Sequence, residues 1–150
     1  MPPAHAATRE SAEPQRWITQ HAQRVKSAEL PAARQQVTGD IDGDGRDDVA
    51  VLYTLQAKAK PHAERRYLAV FKGGATKQGG AHPVTYITHL AVGGPGLREV
   101  NRVTILKRAI VLEVLNHAPG DAACCPSRPG VRRYRMIEGK LALVKDTVRK

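Results

Sequence analysis

The sequence predicts a mainly β, α+β fold in which an N-terminal helix packs on an antiparallel sheet of six or seven strands. One amphipathic segment stands near the start of the chain, and short apolar segments follow it at spacings of about 10–15 residues, separated by glycine-rich linkers. With 150 residues and 16.3 kDa, the chain fits one domain. We place this domain at residues 11–150, after a disordered tail at residues 1–10.

The amphipathic segment covers residues 13–29. Ser11 suits the N-cap and Pro14 the first turn, and Pro31 ends the predicted helix. We expect Trp17 to anchor the apolar face against the sheet. The residues that fall within an arc of about 140° on a helical wheel are Trp17, Ile18, His21, Ala22, Val25 and Ala28.

Seven apolar segments predict the strands. The first is apolar on both faces, as is typical of a central strand. The turn Glu138-Gly139-Lys140 joins the last two segments as a hairpin. The predicted strands span residues 49–55, 67–71, 84–92, 100–106, 109–115, 132–137 and 141–144.

The charge is divided unevenly along the chain. Lys and Arg total 24 against 14 Asp and Glu, for a net charge of +10. Residues 40–48, which we call the aspartate loop, hold five of these acids and Arg46; the loop carries −4 and the rest of the chain +14.

Aromatic residues make up only 4% and do not interleave with the basic residues, so we predict no nucleic-acid partner. No apolar run reaches the roughly 18–20 residues of a membrane span, so we predict no transmembrane segment.

The aspartate loop reads DIDGDGRDD. Acids at positions 1, 3 and 5 with glycine at position 6 match the start of an EF-hand loop, whose carboxylates bind Ca²⁺. Position 12 would be Val51 instead of the required Glu, and a strand follows, so a helix-loop-helix is excluded; Asp48 can replace that Glu. A solvated acidic turn is the alternative, and Mg²⁺ is less favoured than Ca²⁺ because it keeps several of its waters.

Residues 39–52 resemble the calcium segment of FG-GAP/VCBS repeats, in which a D-x-D-x-D-G-x-x-D loop leads into a strand. Those repeats build propellers of several blades, and a chain of this length with one such loop cannot form a propeller. The resemblance implies side-chain ligands at Asp40, Asp42, Asp44 and Asp48 and a carbonyl ligand at Arg46.

The two cysteines, Cys124 and Cys125, are adjacent. Neighbouring Cα atoms lie about 3.8 Å apart, below the usual disulfide range of about 4.4–6.8 Å. A strained vicinal disulfide, two free thiols and a bridge to another molecule all stay open. No C-x-x-C redox motif is present, and His117 alone does not complete a zinc site. In an exported protein we expect the structural disulfide, because disulfides persist there.

An exported location is predicted from Ala4-His5-Ala6, which has the small-x-small pattern found near a signal-peptidase cut. On this interpretation the signal peptide has been removed. An ordinary alanine-rich tail is the alternative, and a lipid anchor on the precursor stays open.

A second resemblance covers more of the chain. Its features, in order, are the helix, the aspartate loop, YLAVF at 67–71, VGG at 92–94, DAACCPS at 121–127 and YR at 134–135. This order is similar to small exported bacterial proteins with one FG-GAP/VCBS-type loop and a Cys-Cys-Pro-Ser loop. Among them are periplasmic immunity proteins of Xanthomonas-type bacteria, similar to periplasmic lysozyme inhibitors, which neutralise lysozyme-like antibacterial effectors. The resemblance implies a periplasmic location, Ca²⁺ as cofactor and a cognate secreted hydrolase as partner.

We therefore expect a calcium-stabilised inhibitor or immunity protein and not an enzyme, because no G-x-S-x-G, H-E-x-x-H or P-loop motif is present. Loops near residues 93–98 and 117–130 are expected to dock on the partner. A calcium-dependent envelope or carbohydrate-binding module and an enzyme that uses the metal directly are the alternatives. The residues expected to contact the partner are Arg98, His117, Arg128 and Tyr134.

Overall fold

The computed structural model describes residues 4–60, 63–75 and 84–148. Within these ranges the chain forms one α-helix and nine strands, all paired antiparallel. A short 3₁₀ helix at Pro31–Ala33 precedes the second strand. The elements are α1 (Ala4–Arg24), β1 (Ser27–Glu29), β2 (Gln35–Gly39), β3 (Asp47–Ala57), β4 (Glu64–Ala75), β5 (Thr85–Gly93), β6 (Glu99–Leu106), β7 (Ala109–Asn116), β8 (Arg128–Ile137) and β9 (Lys140–Val148).

Helix α1 begins and ends earlier than predicted. Residues 4–10, assigned above to a disordered tail, belong to the helix, and Pro14 lies inside it and not in its first turn. Three of the first four helical residues are alanine, the strongest helix former. At the other end Lys26 adopts a left-handed φ of +52°, which stops the helix, and the next three residues pair with β3 as β1.

The strands form two sheets. In the first, the order is β1-β3-β4-β5, and β2 pairs with the opposite half of the same β3 strand, so this sheet has five strands. The second is a four-stranded meander, β6-β7-β8-β9. The prediction of a mainly β fold with one helix and antiparallel strands is confirmed. In the described ranges, however, nine strands in two sheets replace the single sheet of six or seven. Strands β1 and β2 carry too few apolar residues to show a pattern, and alternation does not say to which sheet a strand belongs.

The molecule has three layers, because the first sheet is covered on both faces. One face packs against α1, with Trp17 and Ile18 against Tyr53 in β3. The other face packs against the second sheet, with Leu52 of β3 in the same cluster as Leu112 of β7. Burial on both sides explains why residues 49–55 of β3, the predicted central strand, are apolar on both faces.

Among the residues that the structure describes, no helix is both long enough and apolar enough to cross a membrane.

Candidate functional site

The aspartate loop connects β2 to β3. Gly39 pairs with Asp48 at the last register position of the two strands, so the chain between them turns back within a few residues. Gly43 and Gly45 both have φ +83°, a left-handed conformation that costs free energy for a residue with a Cβ atom. These two glycines therefore allow the sharp turn that the sequence pattern predicts.

The aspartate side chains organise the backbone of this loop. The N–H groups of Gly43 and Gly45 donate to the two carboxylate oxygens of Asp40, at 2.7 Å and 2.9 Å. The N–H of Asp44 donates to Asp42 Oδ1 at 3.1 Å. Hydrogen bonds to ionised carboxylates are stronger than neutral ones, so the loop is held in shape by the same side chains that are predicted to bind the metal.

Asp48 connects the aspartate loop to the first sheet. Its side chain lies in a residue that is 2% exposed. Its two oxygens accept hydrogen bonds from Ile41 N–H at 3.0 Å and from Gly73 N–H in β4 at 3.2 Å. Burial raises the pKa of Asp48 above its ordinary value, and the two hydrogen bonds lower it only in part. Neutralisation of this buried charge by a cation would remove that cost.

Four carboxylates converge in this loop. One oxygen from each of Asp40, Asp42, Asp44 and Asp48 lies within 4.8 Å of the others. An all-oxygen, anionic donor set suits a hard divalent cation, and each carboxylate oxygen has a second lone pair beside the one that accepts a hydrogen bond. The residues can therefore hold a metal ion. Arg46 lies in the same loop, and its carbonyl ligand stays a prediction.

Two cations from other strands lie against the aspartate loop. Lys72 Nζ in β4 is 3.1 Å from Asp42 Oδ2 and 3.6 Å from Asp44 Oδ2. Arg108, in the β6–β7 turn, covers Gly43: its Nη1 lies 2.9 Å from where a Cβ on that glycine would be. The negative potential of the loop thus attracts positive side chains from both sheets.

The attraction between Lys72 and the aspartate loop shifts the pKa values of Lys72 and Asp42. The hydrogen bond to Asp42 raises the pKa of Lys72 above its ordinary value. For Asp42, partial burial works against ionisation, but the hydrogen bonds from Lys72 and Asp44 outweigh it, and its pKa lies below the ordinary value. Sequence reasoning missed Lys72 and Arg108, because only the register of β4 and the packing of the second sheet bring them to the loop.

The β7–β8 connection, residues 117–127, which we call the disulfide loop, contains the adjacent cysteines. A disulfide bond joins Cys124 to Cys125, with an S–S distance of 2.02 Å and a Cα–Cα distance of 3.8 Å. Of the three states that the sequence left open, the structure has the vicinal disulfide, and neither cysteine is free.

Asp121 connects the two ends of the disulfide loop through hydrogen bonds. Its Oδ2 accepts hydrogen bonds from Ala118 N–H at 2.8 Å, Ser127 N–H at 2.9 Å and Ser127 Oγ at 2.8 Å. These hydrogen bonds, that of Ala118 first, lower the pKa of Asp121 below its ordinary value. The carboxylate is thus ionised at neutral pH and keeps the loop closed. The loop-favouring character of aspartate is the one sequence signal for this role.

The four residues expected to contact a partner lie in different environments. His117 begins the disulfide loop, with Nε2 3.2 Å from Ala123 O, and Arg128 is exposed where β8 begins. Arg98 precedes β6 and is half-buried, with Nη1 donating to Val92 O at 3.0 Å. Tyr134 is a core residue, 2% exposed, whose hydroxyl accepts from Arg132 Nε. Its expected contact role is therefore corrected, because alternation along β8 turns the ring toward the first sheet.

The predicted docking loops meet at one place. The segment 94–98 and the disulfide loop line the same cavity of about 420 Å³, through Arg98 on one side and Cys124 on the other.

Comparison of the chain with protein-family models, with curated proteins and with solved structures found no match.

Proposed function

We propose that this chain is a calcium-stabilised, periplasmic binding protein that inhibits a secreted, peptidoglycan-degrading hydrolase, and that it acts as an immunity protein without catalytic activity of its own. The convergence of four aspartate carboxylates carries the calcium part of this proposal. The docking part is supported by the meeting of two predicted docking loops at one face of the molecule.

Calcium has a structural role in this proposal. The four carboxylates repel one another, and each disfavours ionisation of its neighbours. A divalent cation removes that repulsion and links the aspartate loop to β4 through Asp48, which already bonds Gly73. Ca²⁺ is favoured over Mg²⁺ because it accepts six to eight oxygen ligands in flexible geometry, whereas Mg²⁺ keeps its waters.

The disulfide loop is the principal docking element. The vicinal disulfide and Asp121 restrict its conformations, so little entropy is lost when it docks. Arg128 and Arg98 place positive charges near this loop that suit acidic groups of a partner. The disulfide between Cys124 and Cys125 also fits an oxidising compartment such as the periplasm.

Titration calorimetry with Ca²⁺ after treatment with EDTA tests the metal site. We expect binding to the native chain, loss of binding in Asp42→Ala and Asp44→Ala, and native binding in the control Asp47→Ala. Asp47 is an exposed aspartate of the same segment that does not belong to the converging group. If EDTA does not change the melting temperature and none of the proteins binds calcium, the loop is not a structural calcium site.

Inhibition assays test the partner. Purified protein is mixed with muramidases, including any secreted hydrolase whose gene neighbours that of this chain, and release of peptidoglycan fragments is measured. We expect inhibition of one such enzyme, weakened by the double variant His117→Ala/Arg128→Ala and unchanged in Arg135→Gln, an exposed arginine farther along β8. Binding to glycans with no inhibition of any hydrolase would favour the carbohydrate-binding alternative and overturn the inhibitor proposal.

A further inference from the structure

The cavity of about 420 Å³ is lined by residues of both sheets. Thr54 and Arg66 come from β3 and β4, Arg98 comes from the segment before β6, and the disulfide loop contributes Ala123 and Cys124. The volume lies in the range of about 300–1,000 Å³ that is common for small-molecule sites. The aspartate loop contributes nothing to this cavity, so it is separate from the candidate metal site.

Two buried polar atoms in the cavity wall have no hydrogen-bond partner among the residues that the structure describes. The Thr54 side chain, in a residue 3% exposed, has a hydroxyl without a hydrogen bond in the part of the chain that the structure describes. The same holds for Arg98 Nε. Most buried polar atoms in proteins are satisfied, and an unsatisfied one costs free energy. A polar ligand in the cavity would supply an acceptor for Arg98 Nε and a partner for Thr54 Oγ1.

Arg66 and Arg98 bring two positive charges to the cavity. Each donates from Nη1 to a backbone carbonyl, Arg66 to Val100 O and Arg98 to Val92 O. Neither guanidinium has a carboxylate within 4 Å across the described ranges. Burial lowers the pKa of both arginines, because it disfavours the charged form. A carboxylate is the group that matches guanidinium donors best.

Two glutamates bring an equal negative charge to the same cavity. Glu64 and Glu99 both line it and both are exposed. Their charges act on Arg66 from a distance and raise its pKa, without outweighing burial. A ligand with only a carboxylate would meet repulsion from these glutamates, and a ligand with only an ammonium group would meet repulsion from the arginines. A ligand with both charges is complementary to the whole lining.

We propose that this cavity binds a small zwitterion with an amino group and a carboxylate, namely an amino acid or a dipeptide. The carboxylate contacts Arg98 and Arg66, the ammonium group contacts Glu64 or Glu99, and the side chains of the ligand pack on the apolar wall. Leu30 is part of that wall. The proposal depends neither on calcium nor on a protein partner.

A matched set of three dipeptide probes tests the charge requirement. Alanyl-leucine carries both charges, N-acetyl-alanyl-leucine carries only the carboxylate, and alanyl-leucinamide carries only the ammonium group. Binding is followed by titration of backbone amide NMR signals of the native chain. We expect the zwitterion to bind and each singly charged probe to bind about tenfold more weakly or worse. Perturbed signals should map to residues 94–101 and 123–126. Absence of binding by alanyl-leucine, equal binding of all three probes, or perturbations elsewhere would overturn the proposal.

Three variants separate ligand binding from folding. Arg98→Gln should weaken alanyl-leucine about tenfold or more, and Arg135→Gln, an exposed arginine outside the cavity, should leave the affinity unchanged. Thr54→Val removes a hydroxyl that has no partner in the described chain, so the protein should fold at least as stably while its affinity falls. A Thr54→Val protein that binds alanyl-leucine as tightly as the native chain, together with an unaffected Arg98→Gln, would overturn the site even if the probe binds elsewhere.

Discussion

Lys72 Nζ lies 3.1 Å from Asp42 Oδ2, so a lysine of β4 reaches the group of carboxylates that is proposed to bind calcium. The ammonium group is half exposed and lies 3.6 Å from Asp44 as well. It neutralises part of the charge that a metal ion would neutralise fully. Lys72 and calcium should therefore compete for the same two carboxylates.

Lys72→Gln should raise the affinity for Ca²⁺ by about two- to fivefold, because removing one exposed ion pair changes the local free energy only modestly. Titration calorimetry at low ionic strength measures the change, which should shrink as salt is added. Lys140→Gln, an exposed lysine of the β8–β9 hairpin, serves as the control. Weaker calcium binding in Lys72→Gln would mean that Lys72 supports the loop geometry and does not compete with the ion.

Asp48→Ala should destabilise the protein even in EDTA. The change leaves the N–H groups of Ile41 and Gly73 without their acceptors, and each buried, unsatisfied donor costs about 1–3 kcal/mol. We expect the free energy of unfolding in urea to fall by about 2–4 kcal/mol. Asp47→Ala, one residue earlier and exposed, should change it by less than about 0.5 kcal/mol. Equal losses in the two variants would show that Asp48 does not connect the loop to β4.

The sequence made the aspartate loop predictable because its chemistry is local. Asp40, Asp42 and Asp44 converge through a turn that Gly45 permits, and all of these residues stand within six positions of one another. Helix formation near Trp17 was predictable for the same reason, since amphipathic periodicity is local. The predicted helix ends were wrong, because the left-handed φ of Lys26 and the pairing of β1 with β3 depend on tertiary structure.

Long-range features could not be predicted from the pattern. The division into two sheets depends on how the chain turns between Gly93 and Arg98. Gly93 fits there because a Cβ would lie 2.8 Å from Arg98 O. The burial of Tyr134 depends on which face of β8 meets the first sheet. The contribution of Arg66 to the cavity likewise requires the packing of β4 against the start of β6.

The β6–β7 turn stores conformational strain. Lys107 and Arg108 both have positive φ, +52° and +62°, where two-residue hairpin turns favour Asn-Gly. Lys107→Asn should therefore raise the free energy of unfolding by about 0.5–1 kcal/mol, because asparagine tolerates this conformation better than lysine. Glu138→Asn, in the β8–β9 turn with φ +52°, should give a similar gain. Denaturation in urea measures both, and a loss of stability in Lys107→Asn would show that the lysine side chain makes a stabilising contact.

The vicinal disulfide should contribute little to global stability. It closes the smallest loop that two cysteines can close, and the entropy of cross-linking falls with loop size. The double variant Cys124→Ala/Cys125→Ala should therefore lose about 1 kcal/mol or less. Denaturation with and without reductant measures this loss. A loss of several kcal/mol would show that the disulfide stabilises the whole sheet and not only the loop.

Asp121→Ala should open the disulfide loop locally. The amide of Ala118 loses its acceptor, so its hydrogen exchange should accelerate about tenfold or more. The amide of Ser127 loses Asp121 but keeps Asn116 O at 3.1 Å, so its exchange should change less. Amides of the β8–β9 hairpin, which bond within the sheet, should exchange at unchanged rates. Unchanged exchange at Ala118 would mean that Asp121 is not needed to keep the loop closed.

Buried His21 connects α1 to the first sheet. The residue is 4% exposed, and its Nδ1 shares a 2.8 Å hydrogen bond with Tyr53 Oη. Burial and, to a smaller extent, the nearby charges of His89 and Arg24 together lower the pKa of His21 to about 4. The side chain is therefore neutral at pH 7. The rings that face it are those of Trp17, Tyr53, Tyr67 and His89.

The free energy of unfolding should fall as the pH drops from about 6.5 to about 4. In this range the unfolded chain binds a proton at His21, whose ordinary pKa is 6.5, and the folded chain, with a pKa of about 4, does not. The stability that a neutral His21 provides is thus fully present above pH 6.5 and decreases by up to about 3 kcal/mol by pH 4.

Trp17, the only tryptophan of the chain, stacks on His21, so its fluorescence during urea denaturation at each pH reports the change. His21→Gln should flatten the slope between pH 4 and 6.5. A slope that persists in His21→Gln but disappears in His89→Gln would assign the effect to His89, whose pKa burial also lowers.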